Sequence, residues 1–153
     1  MANIVLSLIN SSLLDGVCTC HICRYRDISV IIAVDDQIAN NQLFKDVFRF
    51  SVSNLYTLEI LTKEQTLQLL KSGKYNNTRV AITSKTLSNY EYLINQGFNN
   101  LTTLSLSEEP KSFFQRFPEE LLIAERLNRK NIIINYCKAN AEQVPINYVI
   151  EHS

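Results

Sequence analysis

The sequence predicts an α/β protein: an open, mainly parallel, twisted sheet of about six strands with helices on both faces, in a single domain over residues 1–153. Three observations carry this expectation. Short apolar segments rich in β-branched residues alternate with helical patterns along the whole chain. Residues 28–34 (ISVIIAV) form a nearly unbroken apolar run, the mark of a strand covered on both faces, as in a parallel sheet. Helix start and stop signals fall between these runs, among them the T-x-x-Q of Thr62 and Gln65 and the glycine at Gly97.

Taken in order, residues 3–9 read as a strand, broken by Asn10, Ser11 and Ser12. Asp15 and Gly16 precede a helix over 17–26, with Asp15 at or near the N-cap, where a carboxylate accepts free backbone N–H groups. The strand 28–34 ends at Asp35 and Asp36, which open a helix carrying Ile38, Leu43, Val47 and Phe48 at helical spacing. Residues 55–61 form a strand; Thr62 caps a helix with Leu67, Leu69 and Leu70, and residues 73–77 turn. A strand over 79–83 leads to a helix over 84–96, and Gly97 fits the position just past its end. A strand over 101–106 is followed by a polar connection over 107–117. Pro118 sits at the first position of a helix over 119–127, where proline is tolerated. Residues 132–137 form the last strand and 141–150 a closing helix, with Pro145 near its start. Ile4, Val5, Leu6, Val30, Ile31, Ile32, Val34, Val80, Ile82, Leu104, Ile132 and Ile134 are expected in strands, most of them buried.

In parallel sheets function concentrates beyond the carboxyl ends of strands, near a switch in strand order. The loops that matter are therefore 10–16, 35–36, 83–85 and 105–109. Composition narrows what they can do. Fifteen basic residues balance fifteen acidic ones, which argues against nucleic acid as a partner, since phosphate contacts supply most of that affinity. With only Gly16, Gly73 and Gly97, neither G-x-G-x-x-G nor G-x-x-x-x-G-K-[ST] can be written, so the standard nucleotide-phosphate loops are excluded. No apolar run reaches the ~18 residues of a membrane span, and residues 1–6 lack the basic flank of a signal peptide. A cytoplasmic location is expected, peripheral to a membrane at most, with cysteines as thiols.

Cys18, Cys20 and Cys23, with His21 among them, form C-x-C-x2-C. On a helix they do not share one face, and no second ligand pair lies nearby, so they read as small packing residues; neither a metal nor another cofactor is expected. Paired acids such as Asp35 and Asp36 occur at strand ends of response-regulator receivers, but those also need a phosphoacceptor aspartate after the third strand, where Leu61, Thr62 and Lys63 stand. The pair reads instead as capping the helix it opens. Phe44, Phe48, Phe50 and Tyr56 read as core. Phe113, Phe114 and Phe117, in the connection 107–117, either pack on the sheet or form a docking surface, with packing favoured.

Residues 4–17 (IVLSLINSSLLDGV) resemble the start of the IIB component of the mannose/fructose/sorbose family of bacterial sugar phosphotransferase systems, which typically begins I-V-L-x-R-I-D-D-R-L-I-H-G-Q. Residues 31–41 (IIAVDDQIANN) are similar to the family's I-I-V-V-D-D-E-V-A-N-D, and residues 87–106 and 131–150 resemble its later elements. The resemblance implies a phosphocarrier whose histidine, directly before the glycine, takes a phosphoryl group from a IIA partner and passes it toward sugar held by membrane IIC and IID components. Neutral imidazole is a good nucleophile near pH 7. Helix N-terminal N–H groups and a flanking arginine would hold the phosphoryl group.

In this chain Asp15 stands at the histidine position, Ser12 and Leu8 at the arginines, and Val17 at the glutamine; Gly16 is retained. The family's N-V-G-G turn becomes Ser105, Leu106, Ser107 and Glu108. An aspartate carboxyl, which ordinarily ionises near pH ~3.9, is anionic at neutral pH. It repels an incoming dianion by about 4 kcal/mol per charge pair at ~4 Å and an effective dielectric of ~20. His21 would lie ~9 Å further along a helix, and His152 is near the C-terminus. An acyl phosphate on Asp15 would need a cation, and no lysine or arginine lies between Met1 and Cys23. The expectation is a IIB-like protein deficient in phosphotransfer, a pseudoenzyme. The alternative role is a non-catalytic regulatory or interaction module that binds IIA or the membrane components; either role is compatible with a homo-oligomer.

Overall fold

The structure is a computed structural model that describes residues 2–13, 27–52, 54–137 and 143–146. These residues contain seven strands: β1 (Asn3–Ile9), β2 (Val30–Val34), β3 (Thr57–Leu61), β4 (Arg79–Ser84), β5 (Thr103–Leu106), β6 (Ile133–Cys137) and β7 (Gln143–Pro145). The helices among them are α1 (Asp36–Ala39), α2 (Gln42–Phe50), α3 (Lys63–Ser72), α4 (Leu87–Asn95), α5 (Pro110–Arg116) and α6 (Glu119–Arg129). The strands form one sheet in the order β3-β2-β4-β1-β5-β6-β7. Every pairing is parallel except that of β6 with β7. No helix of the described residues is long and apolar enough to cross a membrane.

The apolar runs become strands because both faces of the sheet are covered. Val30 to Val34 are all buried. On one face Ile32, Val80, Ile82 and Leu104 pack with Leu70 of α3, Leu87, Tyr90 and Leu93 of α4, Phe113 of α5 and Leu127 of α6. On the other, Leu6, Leu8, Ile31 and Ile60 pack with Ile38 of α1, Phe48 of α2 and the flanking residues Leu13 and Ile28. Of the residues expected in strands, Ile4 and Val5 are half-buried, and Ile132 is buried but lies just before β6.

Local signals explain the helix boundaries. Asp35 Oδ1 accepts the Ile38 N–H at 2.9 Å and caps α1. Thr62 and Gln65 form the reciprocal capping box that starts α3. Gly73 ends α3 with φ +80°, in the left-handed region where a Cβ is costly.

Several expectations need correction. The helix after Asp36 is two helices, because Asn40 closes α1 by donating to the Asp36 carbonyl and Asn41 then caps α2 through the Phe44 N–H. Phe48 and Tyr56 pack against the core, but Phe44 and Phe50 are exposed and are not core residues. The connection 107–117 contains α5, with Pro110 in its first turn; proline's preset φ favours that position. Its Phe113 is buried, with ring centroids of Phe114 and Phe117 at 5.2 and 5.3 Å, so the phenylalanines pack on the sheet. Pro118 is the N-cap of α6, one position before the site expected for it. Within the closing helix expected over 141–150, Gln143–Pro145 is an antiparallel edge strand; an edge position tolerates a proline that lacks an N–H.

The Tyr90 hydroxyl, fully buried, lies 2.6 Å from the Leu8 carbonyl oxygen and 2.9 Å from that of Ile82 and shares its single proton between them. It ties α4 to the two central strands. Tyr90→Phe should destabilise the fold by about 1–3 kcal/mol, as expected when buried acceptors lose their donor; urea denaturation of the two proteins measures this.

Candidate functional site

β1 ends where the direction of the crossovers reverses. From β1 the chain moves past β4 to β2, and from β4 it returns past β1 to β5. Loops that leave adjacent strands in opposite directions open a crevice at their carboxyl ends. Ladder geometry fixes this end tightly. β1 pairs with β4 from Asn3–Arg79 to Ile9–Ser84, with an irregularity between Ile4 and Leu6. It pairs with β5 only at Leu8–Ser105 and Ile9–Leu106.

The loop that follows Ile9 is organised by its own polar residues. The buried Asn10 donates its N–H to the Ser84 carbonyl at 2.8 Å. Its Oδ1 accepts the Ser12 N–H at 3.0 Å and the Ser12 hydroxyl at 2.7 Å. Leu13, also buried, takes φ +64°, an uncommon conformation for a non-glycine residue. Two bonds hold it there: its N–H donates to the Asn10 carbonyl at 2.8 Å, and its carbonyl accepts the buried Thr83 hydroxyl at 2.6 Å. From the β5 side, Ser107 donates both its N–H and its hydroxyl to the Ile9 carbonyl, each at 3.0 Å.

Glu108 completes the arrangement. Its Oε1 accepts the Ser11 N–H at 3.3 Å across 97 residues of sequence, and its other oxygen pairs with Arg116 of α5. The Arg116 guanidinium also lies over the Phe117 ring, 5.3 Å from its centroid. Other charges at these strand ends are paired too. Lys85 lies 3.5 Å from Asp35, and Lys63 lies 3.2 Å from Asp36, which also accepts the Lys63 backbone N–H at 3.0 Å.

Solved structures share this architecture. A protein of a phosphoenolpyruvate-dependent phosphotransferase system superposes with a TM-score of 0.85 and 15% identity, over 98% of each chain. The IIB domain of the sorbose permease from Klebsiella pneumoniae gives 0.84 and 15%, over 100% of this chain and 98% of that one. The N-acetylgalactosamine-specific IIB component 1 from Escherichia coli gives 0.78 and 12%, over 93% and 98%. The fold is that of the sugar-specific IIB components. No protein-family model and no curated protein matches the sequence, and at these identities the IIB likeness is a likeness of fold.

Within this IIB fold, Ser12 bonds the Asn10 carboxamide and Ser107 bonds the Ile9 carbonyl, both at the end of β1. Ser105 lies inside β5 opposite Leu8 and lines a cleft of about 350 Å³ with Ser7, Thr103 and Asn135, on the stretch where β1 and β5 are not paired. Asp15, Gly16 and Val17 lie outside the described residues, as do Cys18, Cys20, His21, Cys23, His152 and the helix expected over 17–26. Cys137 is a buried thiol. Asp35 and Asp36 serve as a helix cap and an anchor for α3. Sequence reasoning did not find the roles of Glu108 and Arg116. Glu108 stood in a loop already singled out, but nothing in the chain's spacing relates it to Ser11.

Beside the loop after β4, the buried Glu120 of α6 accepts the Leu87 N–H at 2.6 Å, at the start of α4. Burial raises its carboxyl pKa, and the Glu119 and Glu91 charges add to this, while the backbone bonds pull it down. A raised folded-state pKa means stability that is present below the unfolded pKa and lost as pH rises through the folded value. Glu120→Gln, which keeps an acceptor oxygen, should remove this contribution. Unfolding free energies measured from mildly acidic to neutral pH should fall less steeply with pH in the variant than in the unmodified protein.

Proposed function

We propose that this protein is a IIB-like module of a bacterial sugar phosphotransferase system that does not carry phosphate and acts by binding, with IIA or the membrane IIC and IID components as its partners. In this reading it works in the cytoplasm and reaches the membrane only through those partners. The observation that carries the reading is the Glu108 carboxylate, which already takes the Ser11 N–H and pairs with Arg116 at the end of β1.

The chemistry explains why this matters. A phosphoryl dianion beside a parallel strand end needs free N–H donors and an unneutralised cation. Here an internal anion takes both kinds of group, and it comes from the turn where IIB sequences typically carry glycine. Asp15 in place of histidine removes the nucleophile and adds a second negative charge. Ser12, at the position of an arginine, is turned to the Asn10 carboxamide. The nucleophile, the cation and the donors are altered together, while the packed scaffold that a partner would recognise is retained.

Incubation with phosphoenolpyruvate, the general phosphotransferase proteins and a IIA protein, followed by intact-mass analysis, tests this. The unmodified protein should gain no phosphate. Asp15→His alone should accept little, and Asp15→His with Ser12→Arg should accept it ~10²-fold faster, the scale of one preorganised charge stabiliser. Adding Glu108→Gly to that pair should raise the rate again. A hydroxylamine-labile phosphate on the unmodified protein would overturn the proposal, because it would reveal a working acyl-phosphate site.

A further inference from the structure

β1 and β5 pair only at Leu8–Ser105 and Ile9–Leu106, so the first half of β1 stands apart from its neighbour in the middle of the sheet. The cleft of about 350 Å³ lies there, with residues 4–7 lining it from β1 and Asn100, Thr102, Thr103, Ser105 and Asn135 from the other side. Side chains of a strand alternate between faces, so a cleft that touches four residues in a row lies against the strand's edge, where its backbone N–H and C=O groups are. Across the cleft, Thr103 and Ser105 are two residues apart on β5, and Ser105 stands opposite Asn135 on β6, so the three share one face of the sheet. Leu104 and Leu106 give the other face of β5 to the core. β5 is thus polar on one face, whereas β2 is buried and apolar throughout. That polar face is not simply solvated, since Ser105 is only 4% exposed, and a buried polar side chain is more informative than an exposed one.

We propose that this cleft binds a small neutral polyol. It lies toward the start of β1, away from the loop after Ile9, and the proposal is independent of the function proposed above. Three properties select the ligand. Among the described residues no ionisable side chain lines the cleft, so an ion there would lose its hydration without meeting a counter-charge. Hydroxyls and carboxamides each donate and accept hydrogen bonds, and a strand edge offers both kinds of group. A ligand with several hydroxyls matches such a mixture, whereas an apolar one leaves it unpaired. The volume is at the low end of the range for small-molecule sites, ~300–1,000 Å³, which sets the ligand at a single ring.

Titration of the ¹⁵N-labelled protein with myo-inositol, followed by amide NMR shifts, tests this. A polyol of that size should bind with a Kd on the order of millimolar. The amides of Leu6, Ser7, Ser105 and Asn135 should shift and saturate below ~50 mM. Cyclohexanol, the same ring with one hydroxyl, and myo-inositol 1-phosphate, its charged counterpart, should not produce these shifts. Thr103→Val keeps the shape of an exposed strand residue and removes its hydroxyl; it should weaken binding about 5-fold, the scale of one hydrogen bond. Asn135→Leu should weaken it at least as much, and both variants should keep the amide spectrum of the folded protein away from the cleft. No saturable shift at ~50 mM myo-inositol, equal shifts with cyclohexanol, or binding indifferent to both substitutions would overturn the proposal.

Discussion

The end of β1 is the constraint on which the rest of this molecule depends. It is the inner strand of the sheet where the crossovers part, so its last carbonyls and N–H groups must be satisfied by neighbours that arrive from distant parts of the chain. β4 supplies the Ser84 carbonyl and the Thr83 hydroxyl, the turn after β5 supplies Ser107, and α4 supplies the Tyr90 hydroxyl. Burying these polar groups unpaired would cost far more than any one bond returns. Residues 10–13 are therefore held by these bonds in a conformation that includes a leucine with positive φ.

Among the described residues, three ion pairs lie at the same end of the sheet. Asp35 with Lys85, Asp36 with Lys63 and Glu108 with Arg116 each join a strand end to a neighbouring loop or helix. Such partly exposed pairs contribute little stability, typically under about 1 kcal/mol each. Their consequence is positional: Lys63, Lys85 and Arg116 each face a carboxylate of the same molecule. A phosphoryl carrier needs the opposite, donors and cations held ready for an anion that comes and goes. Under the proposed function, the Glu108 bridge would matter for chemistry although it contributes little to stability.

The two faces of the sheet differ in the described residues. One is covered by α3, α4, α5 and α6, which share a continuous core. The other carries α1 and α2, and α2 contributes Phe48 to the core while most of its apolar side remains in solvent. Two adjacent asparagines, Asn40 and Asn41, end one helix and cap the next, and α2 meets the core through Phe48.

What the sequence determined by itself was local or repetitive. The alternation of buried strands and capped helices was legible because parallel strands covered on both faces must be apolar throughout, and because caps such as Thr62 with Gln65 act within a single turn. The likeness to IIB components came instead from the motifs at residues 4–17 and 31–41, with residues 87–106 and 131–150 resembling later elements, and solved IIB structures share the fold. The remaining features depend on groups far apart in the chain, which meet only in the folded molecule. Glu108 meets Ser11 because β1 and β5 are neighbours, a fact of strand order that no spacing encodes. Phe50 and Phe113 have the same chemistry and opposite fates, one in solvent and one in the core. Hydrophobicity states only that burial is favourable; which face of each helix packs on the sheet decides which side chains obtain it.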